Sequence, residues 1–571
     1  MSAQTGAPTS MTAYDWLRQH AYERPSAVAV VEWREGTVAR RIGFAGLART
    51  VDRVALALVA RGGRPGDRVV LALPNDVSFT TTLLAAFAAG LVAVPAPPPV
   101  KTAGDAAAWR LRGIADDCGA GLVITRDVFA DDTRAAVRGP GAAVHTWEDL
   151  CATETAGTLQ PGDPAGAASG IAFLQYSSGS TGRPKGVAIS HRAVAAQCAQ
   201  AARVYRERTD DTAVTWVPLS HDMGLVTGVL RPLRTGYTSV LLSPREFART
   251  PRSWLSALSA LRGTLSSAPD FAYDHCVRRV PAAEAATLDL SSWRVARSAG
   301  EVVRAATADR FAEHFAPAGF RPAGMCPSYG MAEATLTVTA STPARPALRL
   351  TVLRRALQAG TVSVADHSGS PGEAGPVATL LSSGEPLPGT EVRVRDAQGR
   401  ELPDGQVGEL WIRGPQLFDG YWPDIAPGRD RGAQPTRDQG FLYGGQLFVL
   451  GRTDDTVVHQ GSNHYATDIA AVLSDLPGLR PGRNVVFAAV PPGSEAVPRV
   501  CLVAELSDQD MVAARSVATA LQIRRRLAAE LGLYVQDVAL LPPRAMPMTT
   551  SGKVRIAEVR HRYEQGLLPL L

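Results

Sequence analysis

The chain has 571 residues, 45% hydrophobic and 20% charged, the balance of a soluble, well-packed protein with several structural units. Its 59 basic and 54 acidic residues leave a formal charge of +5 with no long single-sign run, which argues against a nucleic-acid partner. Only three of the basic residues are lysines, Lys101, Lys185 and Lys553, so a compact ammonium stands out wherever arginine has not taken its place.

The N-terminus, MSAQTGAPTSMTAYDWLRQH, lacks the basic start and apolar stretch of a secretory signal. Six cysteines, Cys118, Cys151, Cys198, Cys276, Cys326 and Cys501, lie far apart without metal-ligand spacing, which points to reduced thiols and a cytoplasmic location. The most apolar stretch, 83–94, is too short to span a bilayer and runs into Pro95. It predicts a buried helix followed by a strand, and no membrane span. From 68 to 340, short β-branched runs at 68–73, 213–218, 239–242 and 293–296 alternate with longer helical patterns. That alternation predicts an α/β fold with mostly parallel sheets. Period-two alternation at 391–395 and 408–413, around the turn DAQGRELPDGQ, predicts a small antiparallel barrel over about 385–450. Past Gly451-Arg452, strand patterns at 484–490, 499–505 and 537–541 interleave with helices such as 512–531. The expected division is therefore a core of 1–452 followed by a small α+β lobe, 453–571.

The strongest chemical signal is LQYSSGSTGRPKGVAISH, 174–191, where an apolar strand enters a Ser/Gly/Thr loop, a lysine and a second strand. Glycines such as Gly179 and Gly182 permit close backbone approach, and successive N–H groups form an anion-binding concavity. The hydroxyls of Ser177, Ser178, Ser180 and Thr181 can add bonds, and Lys185 adds charge. This is not the phosphate loop GxxxxGK[ST], because Gly186 follows the lysine. A flexible Gly/Ser linker is disfavoured by the apolar strands on both sides.

At this run the sequence resembles the adenylate-forming superfamily, which includes acyl-CoA synthetases, luciferases, peptide-synthetase adenylation domains and fatty acyl-AMP ligases. WVPLSHDMGL (216–225), PSYGMAEATL (327–336), GELWIRGPQLFDGYW (408–422), TRDQGF (436–441), GRTDDTVVHQGSNHY (451–465) and TTSGKVR (549–555) continue the resemblance in order. It implies ATP as co-substrate, with Tyr329 and Gly330 against adenine and Gly300, Glu301, Ser328 and Met331 nearby. Glu333 would offer a carboxylate oxygen to Mg²⁺, with Thr181 as a second ligand. Asp438 would accept bonds from the ribose hydroxyls, with Arg452 as a further sugar or phosphate contact. Lys553 would bridge the attacking carboxylate and the α-phosphate, carried by a mobile C-terminal lobe that turns about Asp454.

Within the superfamily, HDMGL, FAYDHCVRR (271–279), LDLSSWRVA (288–296), FRPAG (320–324) and NHYATDI (463–469) resemble the fatty acyl-AMP ligases. The segment 343–381, with LRRALQAGTVSVA, occupies the place of that branch's insertion. The resemblance implies transfer of the acyl group to the phosphopantetheine thiol of an acyl carrier protein, in polyketide or lipopeptide assembly. Free CoA as acceptor, and a catalytically silent adenylate-binding relative, are the alternatives. Ser220, His221, Asp222 and Met223 are the expected acid-binding residues, with His221 a pocket wall rather than a base. Ser220, Ser266, Ser267, Asp270 and His275 add polarity where a long-chain ligase is apolar, which suggests a short, branched or functionalised acid.

Overall fold

The computed structural model describes residues 11–99, 105–138, 141–154, 170–177, 185–343, 345–365, 376–426, 431–459, 461–474, 476–490, 499–507, 513–548 and 554–571. Two large sheets make up the body. The first has nine strands in the order Glu385–Pro386, Thr337–Ala340, Met325–Gly330, Val295–Ser298, Leu265–Ala268, Thr212–Thr215, Thr238–Leu241, Val28–Arg34 and Thr37–Gly43. The run from Met325–Gly330 to Val28–Arg34 is parallel, and antiparallel strands close both edges. The second has eight strands: Asp424–Ile425, Gly420–Tyr421, Lys185–Ser190, Ile171–Ser177, Val92–Ala96, Arg68–Ala72, Leu122–Thr125 and Ala143–Thr146. Its run from Ile171–Ser177 to Ala143–Thr146 is parallel.

The expected strands are present, with three ends displaced: the 484–490 strand begins at Leu479, with an irregularity in register before Asn484. The 213–218 run stops at Thr215, because Asn75 takes over the next carbonyls: its Nδ2 donates to Val217 O at 2.9 Å and to Trp216 O at 3.3 Å. The 293–296 run starts only at Val295, because Trp293 closes a turn onto Leu290 O and sits in an aromatic cluster with Trp254, Phe311 and Phe320.

Between the sheets lies the helix Val77–Ala88, buried at every position from Val77 to Phe87. This explains a continuous apolar run in place of a one-sided stripe. The helix shares one core with Val69, Leu71 and Phe173 of one sheet and Val30 and Val240 of the other. Full burial of Leu83 or Leu84 contributes about 1.5–3 kcal/mol each. The buried hydroxyls of Thr81 and Thr82 donate to Val77 O at 2.8 Å and Ser78 O at 2.7 Å.

The small barrel expected over 385–450 is, among the described residues, an open antiparallel sheet of four strands: Glu391–Arg395, Gly408–Arg413, Gln434–Tyr443 and Gln446–Arg452. It does not need to close, because neighbours cover both apolar faces. Val392, Leu410 and Leu447 pack with Tyr329 and Val338, and Phe441, Phe448 and Leu450 pack with Leu350, Val352 and Leu357. The last three belong to the 343–381 segment, where Arg349–Leu353 pairs with Val377–Leu381 beside a short helix, Arg354–Gln358.

Beyond Arg452, the strands Leu479–Ala489, Arg499–Leu506 and Asp537–Leu541 form a sheet of their own. The helices Ala466–Val472 and Ala513–Leu531 cover one face and Ile556–Glu564 the other. The 343–381 segment meets this lobe: Arg354 lies 3.6 Å from Asp468, and Gln358 Nε2 donates to Leu531 O at 2.9 Å. Among the described residues, no helix is long and apolar enough to cross a membrane. All six cysteines are free, and five are buried.

One ion pair is fully internal. Arg231 Nε donates to Glu207 Oε1 at 2.6 Å, with side-chain exposures of 4% and 0%, and the guanidinium lies 4.8 Å over the Tyr205 ring. Removing one partner strands a charge in low dielectric. Glu207→Ala should therefore cost about 3–5 kcal/mol, read as a lower urea midpoint, whereas an unchanged midpoint would contradict the pairing.

Candidate active site

Parallel sheets bind ligands beyond the carboxyl ends of their strands. Here both sheets turn those ends into one cleft of about 2360 Å³. Residues at or just past strand ends line it, among them Asn75, Arg126, Gln175, His221, Glu301 and Glu333. A single small-ligand pocket is typically about 300–1,000 Å³, so this cleft has room for two substrates.

Gln175, Tyr176 and Lys185, from the two strands that flank the Ser/Gly/Thr loop, line the cleft. Ser177 pairs with Lys185 across antiparallel strands. Ser178, Gly179, Ser180, Thr181 and Gly182, and the side chain of Ser177, lie outside the described residues. Lys185 is exposed, with Nζ 5.7 Å over the ring of Tyr421. Gly186 is needed where it stands, because a Cβ there would meet the Tyr176 ring at 3.0 Å and Trp422 Cβ at 3.2 Å.

The same Tyr421 reaches Glu333, its hydroxyl donating to Oε1 at 2.9 Å, while the Glu333 carbonyl accepts from Phe418 N at 2.8 Å. Burial and the Glu333 carboxylate push the Tyr421 phenol pKa up, so it stays a neutral donor. Glu333 rides a tight turn after Met325–Gly330. A Cβ on Gly330 would fall 1.7 Å from Leu336 O, which makes glycine obligatory. Ser328 and Met331 flank that turn and line the cleft. Among the described residues, no group of three or more His, Cys, Asp or Glu gathers as a metal site. A lone carboxylate nevertheless fits Mg²⁺ where phosphate oxygens and water complete the shell.

Asp438 and Arg452 face each other in register across the hairpin of Gln434–Tyr443 and Gln446–Arg452. Asp438 Oδ2 accepts from the Tyr329 hydroxyl at 2.6 Å, and Oδ1 lies 3.6 Å from Arg452 Nε. Burial pushes the Asp438 carboxyl pKa up to about 6, helped by Glu333 and Asp455 and opposed by Tyr329 and Arg452.

On the opposite wall, Leu219 N donates to Asn75 Oδ1 at 2.9 Å and Gln175 Nε2 donates to Ser220 O at 2.8 Å, which fixes the turn into the helix Asp222–Leu225. Met223 N donates to Asp222 Oδ1 at 2.6 Å, and His221 Nδ1 lies 2.5 Å from the same oxygen. Gly300 takes φ +84°, and Glu301 Oε1 accepts from Phe271 N at 2.7 Å, so this carboxylate serves a helix start as well as the cleft.

Two of the polar residues expected to make the acid end hydrophilic are satisfied internally. Asp270 Oδ2 accepts from Arg304 Nε at 2.7 Å and Thr307 Oγ1 at 3.1 Å. Ser266 Oγ accepts from Trp254 Nε1 at 2.9 Å and donates to Val214 O at 2.5 Å.

The C-terminal lobe reaches the same cleft. Met548, Val554, Arg555 and Glu558 line it together with Asp454 and Asp455 of the turn Thr453–Asp455. Lys553 itself lies outside the described residues. Burial lowers the Arg110 pKa, and the like charge of Arg555 lowers it further, so two arginines from different parts of the chain converge here. Tyr421, Asn75, Gln175 and Arg110 have no signal of their own in the sequence. Gln175, Tyr421 and Arg555 at least fall inside recognisable motifs.

Residues 17–422 match the AMP-binding enzyme family. The chain is 34% identical over 528 residues to the long-chain-fatty-acid–AMP ligase FadD26 of Mycobacterium marinum, covering 88% of each. It is 33% identical over 520 residues to the medium-chain-fatty-acid–[acyl-carrier-protein] ligase JamA of Moorena producens, covering 88% of this chain and 86% of the relative. A solved structure from a study of fatty acyl-adenylate ligases of E. coli and L. pneumophila superposes with a TM-score of 0.88 at 31% identity, over 97% of this chain and 98% of that one. With a cleft built from the same ordered motifs and a family match over most of its length, the chain belongs to the AMP-binding enzymes.

Proposed function

We propose that this chain is an acyl-AMP ligase, which joins a carboxylic acid to ATP with release of pyrophosphate and then passes the acyl group to the phosphopantetheine thiol of an acyl carrier protein. The observation that carries the reading is that Lys185, Glu333, the Asp438–Arg452 pair and the residues just after Lys553 border one cleft. The likeness to fatty acyl-AMP ligases, one of them named for transfer to an acyl carrier protein, supports the substrate and acceptor classes.

In the first half-reaction a carboxylate oxygen attacks the α-phosphorus, the α–β P–O bond breaks and pyrophosphate leaves. The acid is already ionised near pH 7, so no general base is required. Two repelling anions must be held in line, which is work for fixed cations. Lys185 and the 177–182 loop hold the β- and γ-phosphates, and Lys553 bridges carboxylate and α-phosphate. Glu333 and Thr181 would hold Mg²⁺, which would neutralise phosphate charge. Tyr329 and the Gly330 turn receive adenine, and Asp438 the ribose. In the second half-reaction the thiol sulfur attacks the acyl carbonyl and AMP leaves. The lobe from 453 onward turns about Asp454 between the two, breaking the Arg354–Asp468 and Gln358–Leu531 contacts of the ligase-type insertion 343–381. A cytoplasmic location, where ATP and carrier are available, is part of the same proposal.

The direct test is acid-dependent ATP–pyrophosphate exchange across acids of graded length and polarity, followed by mass spectrometry of a loaded carrier against free CoA. Exchange with no acid refutes the ligase reading, and acylation of CoA alone refutes the carrier. Lys553→Ala should lower exchange by at least about a hundredfold while sparing transfer from supplied acyl-AMP. Equal loss in both would remove the lysine from the first step. Asp454→Pro, which locks a backbone angle, should cost one half-reaction at least about tenfold and leave the other. Survival of both would exclude the hinge. Because the Asp438 carboxyl titrates at about 6, the KM for ATP should rise as pH falls from 7 to 5, where the protonated acid accepts ribose bonds poorly. Asp438→Asn should show a raised KM that is flat over that window, and a wild-type KM constant with pH would separate Asp438 from the nucleotide.

A further inference from the structure

Arg297 lies on the central strand Val295–Ser298, in register with Ser267 on one neighbour and Cys326 on the other. It is 1% exposed and still borders the cleft. Its Nη2 donates to Thr337 Oγ1 at 3.2 Å, but Nε and Nη1 have no partner among the described residues. The hydroxyl of Tyr205, which lies beside the guanidinium, likewise lacks a bond of good geometry among the described residues. Burial lowers the Arg297 pKa and Arg231 lowers it further, while Tyr205 and Asp222 offset this only in part.

The neighbouring buried charges are compensated. Arg231 has Glu207, Asp270 has Arg304, and Asp211 has Arg294 at 2.5 Å. Asp222, the acidic group that acts on Arg297, is held by Met223 N and His221. A guanidinium that cannot lose its proton and has no ion-pair partner in direct contact among the described residues is a costly thing to bury. Such a cost persists where a ligand supplies what the protein leaves out.

Position says which ligand. Gly300, three residues on and just past the strand end, lies at most about 10 Å from Arg297 at the nucleotide end of the cleft. The acid-binding turn at His221 borders the same space. An acid with its reacting carboxylate at the α-phosphate would extend its tail towards Arg297. We propose that the acid carries a second carboxylate on its tail and that Arg297 pairs with it, so that a dicarboxylic acid is activated in preference to a plain alkanoate. This rests on the adenylation reading above, and makes Arg297 a specificity-determining residue.

The test compares adipate, suberate and sebacate with hexanoate, octanoate and decanoate in ATP–pyrophosphate exchange by the full chain. The dicarboxylate should win by at least tenfold in kcat/KM at one or more lengths. Arg297→Met should invert that preference, and Arg297→Lys should keep part of it. The thermal midpoint of Arg297→Met, measured without substrate, should equal or exceed that of the wild type, since an uncompensated buried charge has been removed. A lower midpoint with unchanged selectivity would make Arg297 a structural cation and overturn the proposal. Preference for the alkanoate at every length overturns it too and leaves adenylation standing. Exchange with neither series removes both.

Discussion

The helix Val77–Ala88 is the wedge on which the two large sheets depend. It is buried all round and sits in a single core with strands from both. A helix apolar on every side has no stable place except between two apolar layers. Once it is there, the sheets that flank it present their carboxyl ends to a common space. Its first turn belongs to that space as well. Asp76 accepts from Ser78 N at 2.9 Å and from Arg126 Nη1 at 2.5 Å, and Asn75 holds the 216–219 turn, so the wedge and the cleft are positioned by the same few residues.

Within the cleft two of the functional acids are each tied to a tyrosine. Tyr329 holds Asp438, and Tyr421 holds Glu333. A phenol with a raised pKa donates a hydrogen bond without neutralising the carboxylate it orients. The ammonium of Lys185, over the Tyr421 ring, makes no ion pair with either acid among the described residues, which suits the phosphate role proposed for it. Cations placed in advance and partly desolvated act more strongly on developing charge than they would in water, and they need no reorganisation when the reaction occurs.

The parts of this arrangement that were legible in the sequence are those whose residue types are dictated locally. The glycine turn before Glu333 and the Asp438–Arg452 pair lie in short motifs whose backbone or charge permits few substitutes. The strands of 68–73 and 239–242 could be read from β-branched runs for the same reason. What escaped depends on contacts distant in the chain. Tyr421 joins Lys185 to Glu333 because Gly420–Tyr421 pairs with Lys185–Ser190, more than two hundred residues earlier. The small barrel became an open sheet because Tyr329 and the 343–381 hairpin cover its faces. Asp270 looked like pocket polarity until Arg304, on a separate element, was seen to hold it.

Arg297 is the extreme case, because nothing in VARSAG separates a buried arginine from a strand-edge one. Its placement has a consequence for how chemistry and selectivity divide. Of the groups proposed to meet ATP, Lys185, Gly330 and Arg452 lie at strand ends and Glu301 and Glu333 on the turns beyond them, where backbone can approach a phosphate. Arg297 lies inside a strand, hydrogen-bonded to neighbours on both sides, where its position is rigid. A site that must discriminate between tails gains from such rigidity, since a cation fixed in an apolar wall rejects a methyl end as firmly as it accepts an anion. A site that must serve two half-reactions cannot be rigid in the same way. Placing the tail-reading group in the sheet and the phosphate-reading groups on turns and on the C-terminal lobe meets both demands in one cleft.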